Sequence, residues 1–349
     1  MKILFYSIAL ALCLSSCMRS TTLQVLQPAL LTAPEHINTV AILDRSKPSN
    51  GWVNVFEGIL TGEAIGQDRR SRQEAVSGLT DALTRTPRFQ VKNTGIEMAG
   101  SKAGGSMPYP LEWSEIERIC KDYNVDAVVA IESFDSDNSA STTRSVVKRK
   151  DKKGKEYNDI TYDARQRTSV RIGWRTYDPT RKIIFDEYVT DDYLERTASG
   201  NTERQALDNL PSQIAVTRDV AFNVGIEYGA RIAPLYVNIS REYYAKAKGF
   251  KETMKKAARY FDDRNIDQAT KLWKIVLAKA GTNKRAAGRA AYNMAVAAEV
   301  NGNLEIAMDW AQKAWNDYGN KRAREYMHII KMRQNDARKV ATQLPGKKV

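Results

Sequence analysis

The sequence predicts an α+β protein, with a mixed-sheet α/β domain first and an all-α helical repeat domain after it. Three observations carry this. Short apolar runs at residues 37–44 and 127–131 are separated by stretches of helical periodicity, the pattern of a sheet with crossover connections. Residues 167–177 instead alternate Thr168, Val170, Ile172, Trp174 and Thr176 with Arg171, Gly173 and Arg175, as half-buried antiparallel strands do. Finally, a helix–turn–helix pattern around Asn265 recurs 38 residues later around Asn303.

Taken in order, residues 18–35, with Pro28 and Pro34, read as a tether. The run Ile37, Val40, Ile42 and Leu43 predicts a buried strand. Residues 51–66 are punctuated by glycine and leave their structure open. Beyond Arg69, Ala75, Leu79, Ala82 and Leu83 recur at helical spacing until Pro87 stops them. Residues 88–91 predict a strand, and Gly100, Gly104, Gly105, Pro108 and Pro110 a loop. Ser114 with Glu117 matches a capping box for a helix whose apolar face is Ile116, Ile119, Cys120 and Tyr123. Residues 124–126 then turn the chain into the buried strand 127–131.

An antiparallel meander follows. Residues 145–150 and 157–164 flank a turn at 151–154, and a second turn at 178–180 leads into residues 182–193. Asn201 to Glu203 begin a helix that Pro211 interrupts, and a second helix fills 212–233 before Pro234. Residues 235–244 are compatible with strand or helix. This order over residues 37–195 resembles the small α/β domain of the curli-secretion lipoproteins and of the lipoproteins that activate penicillin-binding proteins. The long basic hairpin departs from that pattern.

The C-terminal part carries the clearest repeat. Arg264-Asn265-Ile266-Asp267-Gln268-Ala269, with Trp273, returns as Gly302-Asn303-Leu304-Glu305-Ile306-Ala307, with Ala311 and Ala314. Ahead of each copy lies a helical face of small or apolar residues: Met254, Ala257, Ala258 and Phe261, then Ala291, Met294, Ala295 and Ala298. This resembles the tetratricopeptide repeat over residues 250–316, although the family's proline after the second helix is missing. A further helix, 323–338, would cap the pair. The resemblance implies a concave partner-binding wall made of Lys251, Met254 and Phe261 from the first copy and Arg289, Tyr292, Val296 and Glu299 from the second.

The first residues give an address. Lys2 precedes an apolar run at 3–14, too short to span a bilayer, which reads as a secretory signal over residues 1–16. Leu14-Ser15-Ser16-Cys17 resembles the lipobox of bacterial lipoproteins, which implies a lipidated Cys17 as the first mature residue. Neither an aspartate nor an acidic cluster follows it, so the resemblance favours the periplasmic face of the outer membrane. The expected organisation is therefore a signal at 1–16, a lipidated tether at 17–35, an α/β domain at 36–247, a repeat pair with its capping helix at 248–338 and a basic tail at 339–349. Of three cysteines, Cys13 leaves with the signal and Cys17 carries lipid, so Cys120 has no disulfide partner within the chain. Leader, α/β part and repeat pair together resemble a family of bacterial lipoproteins to which no activity is attached.

The residues point to no reaction. His36 and His328 have no cysteine or second histidine at metal-ligand spacing, and no nucleophile motif accompanies them. The glycines at 100–105 lack the lysine and helix of a phosphate loop. Asp135 with Asp137, and Asp191 with Asp192, read as solvated strand ends. No metal or cofactor is implied. A formal charge of +13, or +12 without Lys2, asks for an anionic contact, and Lys148, Arg149, Lys150, Lys152, Lys153 and Lys155 cluster at the hairpin turn. They suit lipid headgroups or an acidic partner, or simply a solvated turn that protects a strand edge. Export argues against nucleic acid. The expectation is a non-enzymatic, lipid-anchored envelope protein binding a protein or peptide through its repeats. An accessory factor of envelope assembly or cell-wall synthesis, or a glycan hydrolase with unrecognised carboxylates, are the alternatives.

Overall fold

Thr21, Leu23 and Val25 point one way and Thr22 and Gln24 the other, and this period of two makes a strand where a tether was expected. The computed structural model describes residues 17–48, 62–101, 106–344 and 346; the leader lies outside them. Its first elements are β1 (Met18–Gln27), β2 (Thr39–Pro48), α1 (Gly62–Arg85), β3 (Gln90–Ser101) and α2 (Trp113–Tyr123). Next come β4 (Ala127–Lys150), β5 (Glu156–Asp178), β6 (Ile183–Gly200), α3 (Glu203–Asp208), α4 (Gln213–Ile232) and β7 (Leu235–Tyr244). Helices α5 (Lys251–Asp262), α6 (Ile266–Lys279), α7 (Lys284–Val300), α8 (Leu304–Asn316) and α9 (Lys321–Gln343) complete the order. The protein is α+β, and it divides into two units, residues 29–235 with 343–349, and residues 1–28 with 236–342. No helix among the described residues is long and apolar enough to cross a membrane.

The α/β unit is a five-stranded sheet of order β3-β2-β4-β5-β6. β2 runs parallel to β3 and β4, whereas β4, β5 and β6 form an antiparallel meander. One face packs against α1 and α4, burying Ile42, Val129, Ile131 and Trp174 with Leu79, Leu83 and Val224. Trp174 stacks on Tyr228 with ring centroids 4.5 Å apart. The two helices approach so closely that a Cβ on Gly225 would lie 2.2 Å from the Ala75 carbonyl oxygen. The other face buries Leu43, Val128 and Ala130 under Ile116, Ile119 and Cys120 of α2.

Several expectations change. α2 starts at Trp113 with Glu112 as its cap residue and no side-chain cap, so the Ser114–Glu117 capping box does not form. The Leu111 N–H donates to the Tyr177 hydroxyl at 3.2 Å, which fixes the entry to the helix without a cap. β3 continues to Ser101, through part of the predicted loop. The buried run 127–131 and the basic arm 145–150 are one strand, whose burial fades from both faces to neither along its length. Its partner β5 returns across a turn in which Asp151 Oδ1 accepts from the N–H groups of Lys153 and Lys155, each at 2.9 Å. Most of the predicted tether beyond Pro28 is held as well. Leu31 N–H donates to Arg231 O at 3.0 Å and Arg88 Nη2 to Pro34 O at 2.7 Å, and just past the tether His36 Nε2 lies 3.0 Å from Asp178 Oδ1.

In the helical unit β1 pairs with β7, so residues 236–247 belong with the helices and not with the α/β part. α5 with α6, and α7 with α8, form two helix hairpins, followed by α9. α7 is buried almost all round, which its alanines permit because small side chains let neighbouring helices close on every side. Asn265 and Asn303 cap α6 and α8 by accepting from the N–H of Gln268 and Ile306, the same turn chemistry in both copies.

Candidate functional site

The face expected to receive a peptide is already occupied by one, the chain's own β7. Tyr243 packs edge-on against Phe261, with centroids 4.9 Å apart, and against Trp273, and its hydroxyl donates to Asp262. Asn293, fully buried in the middle of α7, holds the backbone of the next residue from both sides. Its Oδ1 accepts from Tyr244 N–H at 2.8 Å and its Nδ2 donates to Tyr244 O at 2.8 Å. Tyr244 meets Tyr292, which in turn meets Tyr326.

The predicted partner-binding residues are therefore mostly interior. Met254, Phe261 and Val296 are buried in the core of this unit, and Tyr292 nearly so. Glu299, expected at a groove wall, is buried and receives Arg241 in a two-point contact at 2.7 and 2.9 Å, with Arg333 at 3.5 Å and the Tyr326 hydroxyl donating. Burial alone would lower the Arg241 guanidinium, but the Glu299 contact outweighs it and leaves its pKa raised. Burial, then the charge on the neighbouring Tyr244 phenol group, pushes the Tyr292 hydroxyl up to about 12. An arginine holds a carboxylate by two bonds here, and both belong to this chain. Only Lys251 and Arg289 keep solvent contact.

Those two converge on Cys17. Cys17 is exposed, and its carbonyl accepts from Ala245 N–H at 3.0 Å one residue before β1 begins. It lines a cavity of about 450 Å3 together with Lys246, Lys248, Lys251, Arg285 and Arg289, and no carboxylate among the described residues shares that lining. The loop carrying these cations is fixed. Arg289 Nη1 donates to Lys246 O at 2.7 Å, with its guanidinium 4.8 Å from the Tyr244 ring centre. Asn283, which caps α7, donates to Lys248 O at 3.0 Å, and Gly249 supplies the positive φ of +86° that the turn needs.

The hairpin cations belong to the α/β unit. Lys148, Arg149, Lys150, Lys152, Lys153 and Lys155 are all exposed around the β4–β5 turn. Arg149 pairs with Asp159 at 2.9 Å and Lys150 with Glu156 at 3.5 Å inside the ribbon. Cys120 is a core residue whose thiol burial, then Asp126 and Asp178, push up to about 11. Asp135 and Asp191 lie across the sheet on either side of Arg171, and burial, then Asp137, raises the Asp135 carboxyl. No group of His, Cys, Asp and Glu among the described residues is arranged to hold a metal.

Sequence reasoning missed Arg241, Tyr243 and Asn293. Asn293 left a signal, since an asparagine in the interior of an alanine-rich helix is unfavourable unless its amide has work elsewhere. It also missed Glu132, fully buried in β4, with Arg45 at 2.9 Å, Arg175 at 3.7 Å and the Tyr177 hydroxyl donating to it.

Among solved structures, the chain is similar to the PelC dodecamer from Paraburkholderia phytofirmans, at 10% identity and a TM-score of 0.22 over 61% of this chain and 98% of that one. It is similar to TolB from Acinetobacter baumannii at 9% identity and a TM-score of 0.21, over 60% of this chain and 31% of that one. No curated protein matches the sequence. Residues 255–334 match the family described as Domain of unknown function (DUF6340). Residues 37–244, more than half of the chain, match Domain of unknown function (DUF8603), and the protein belongs to that family.

Proposed function

We propose that this chain is a non-enzymatic protein of the cell envelope, held at the periplasmic face of the outer membrane by lipid on Cys17. Its two helix hairpins are read as tetratricopeptide-like repeats whose groove serves an internal purpose. They grip the strand that follows the anchor, through β7, rather than a peptide from outside. The observation that carries this reading is the placement of Cys17, exposed and bonded to Ala245 at the very start of β1. A chain exported with such a leader has an accessible thiol there and a folded mount directly behind it.

Partner contact then falls to the exposed ribbon of β4 and β5. Val146 and Ile160 face each other across it, 59% and 40% exposed, and cations flank them. Exposed apolar residues rimmed by charge are the composition of a protein-binding surface. The anchor is tested by metabolic labelling with a fatty acid, followed by membrane fractionation. Cys17→Ser is expected to abolish label and release from the membrane. Undiminished labelling in the variant overturns the reading.

A further inference from the structure

We propose that the cationic collar around Cys17 is a membrane-docking face that lies on anionic phospholipid headgroups, so that the helical unit sits flat on the bilayer surface instead of swinging from it. This rests on the lipidated-Cys17 reading. A lipid anchor usually joins its protein through a disordered spacer, whose length sets how far the folded part stands off. Here there is none. β1 begins at the residue after Cys17, and the Cys17 carbonyl is bonded to Ala245 at 3.0 Å. Acyl chains on the Cys17 sulfur would bring the walls of the same cavity to the headgroup layer.

Those walls suit that layer. Lys248, Lys251 and Arg285 are exposed, Lys246 and Arg289 are half-buried, and no carboxylate shares the lining among the described residues. Groups this close to a charged surface lie within about one Debye length, roughly 8 Å at physiological salt, where attraction is least screened. The loop is also set in advance. Ala245, Lys246 and Lys248 are each held by a backbone hydrogen bond, to Cys17, Arg289 and Asn283, so docking orders little that is not ordered already. A neutral or acidic lining would have suited a thiol that merely carried a leash.

The test uses the mature protein purified from membranes and returned to vesicles, either phosphatidylcholine alone or phosphatidylcholine with phosphatidylglycerol. Lysine acetylation is read by mass spectrometry, and the mass of the Cys17 peptide reports its lipid independently. On phosphatidylglycerol vesicles Lys248 and Lys251 should be labelled roughly fivefold less, the factor that about one lysine's share of such attraction represents. The protection should vanish at high salt. Lys274 and Lys331, exposed on the same unit outside the collar, should not change. An acylated Cys17 with equal labelling on both vesicles overturns the docking face and spares the anchor. An unacylated Cys17 with protected lysines overturns the anchor and spares the docking face, and an unacylated chain with equal labelling overturns both.

Discussion

Glu299 is a carboxylate without water, and its partners decide what its loss would do. Arg241 and Arg333 converge on it from β7 and α9, so Glu299→Gln leaves two guanidinium groups in the interior with no counter-charge. Breaking a buried pair of this type costs about 3–5 kcal/mol. Chemical denaturation should show a loss of that size, whereas a groove residue waiting for a ligand would show almost none. Asp126 behaves differently because it is only partly buried. Its Oδ2 accepts from Asn38 N–H, Thr39 N–H and the Thr39 hydroxyl, each at 2.8 Å. Burial works to raise its pKa, but these three donors outweigh it and hold the carboxyl below the usual 3.8. A depressed carboxylate gives stability that is full above 3.8 and is lost as pH falls through the lower folded value. The melting temperature of Asp126→Asn should therefore trail that of the parent at about pH 6, with the gap shrinking below about pH 4. A gap that stays constant with pH would rule this contribution out. Neither role was legible beforehand, because a charged residue in a sequence reads as solvated until its partners, 58 and 88 positions away, are known.

β1 is the element that most changes the picture. Thr21, Leu23 and Val25 show the alternation plainly, but Pro28 and Pro34 nearby and the expectation of a spacer after the lipid site outweighed it. A strand of one ribbon depends on its partner, and β7 lies more than two hundred residues on, so no local signal couples them. By contrast α1, α4 and the helical hairpins were readable at once, since their apolar spacing is local. The capping box at Ser114 shows the reverse hazard, a local motif overruled by how the preceding residues are held. If β1 is a structural strand, Val25→Pro removes a buried side chain and any N–H it gives to β7. It should destabilise the helical unit by about 3 kcal/mol and speed amide exchange in β7, with β4 and β5 as reference. Unchanged exchange would restore the tether.

At the scale of the whole molecule, the α/β-then-helical order was legible and the boundary was not. The helical unit is assembled from both sides of the α/β unit in sequence, taking residues 17–28 from before it and 236–342 from after. Patterns along a chain describe contiguous stretches, so a unit that borrows its first strand from the far end is drawn in the wrong place. That borrowing has a consequence in time. β1 leaves the ribosome before β7 and cannot find it until the intervening residues have followed. At about 5–20 residues per second that interval is on the order of ten seconds or more. β1 thus spends the interval with its hydrogen-bonding edges bare. A chain cut short before β7 would therefore present β1 with no strand to pair with.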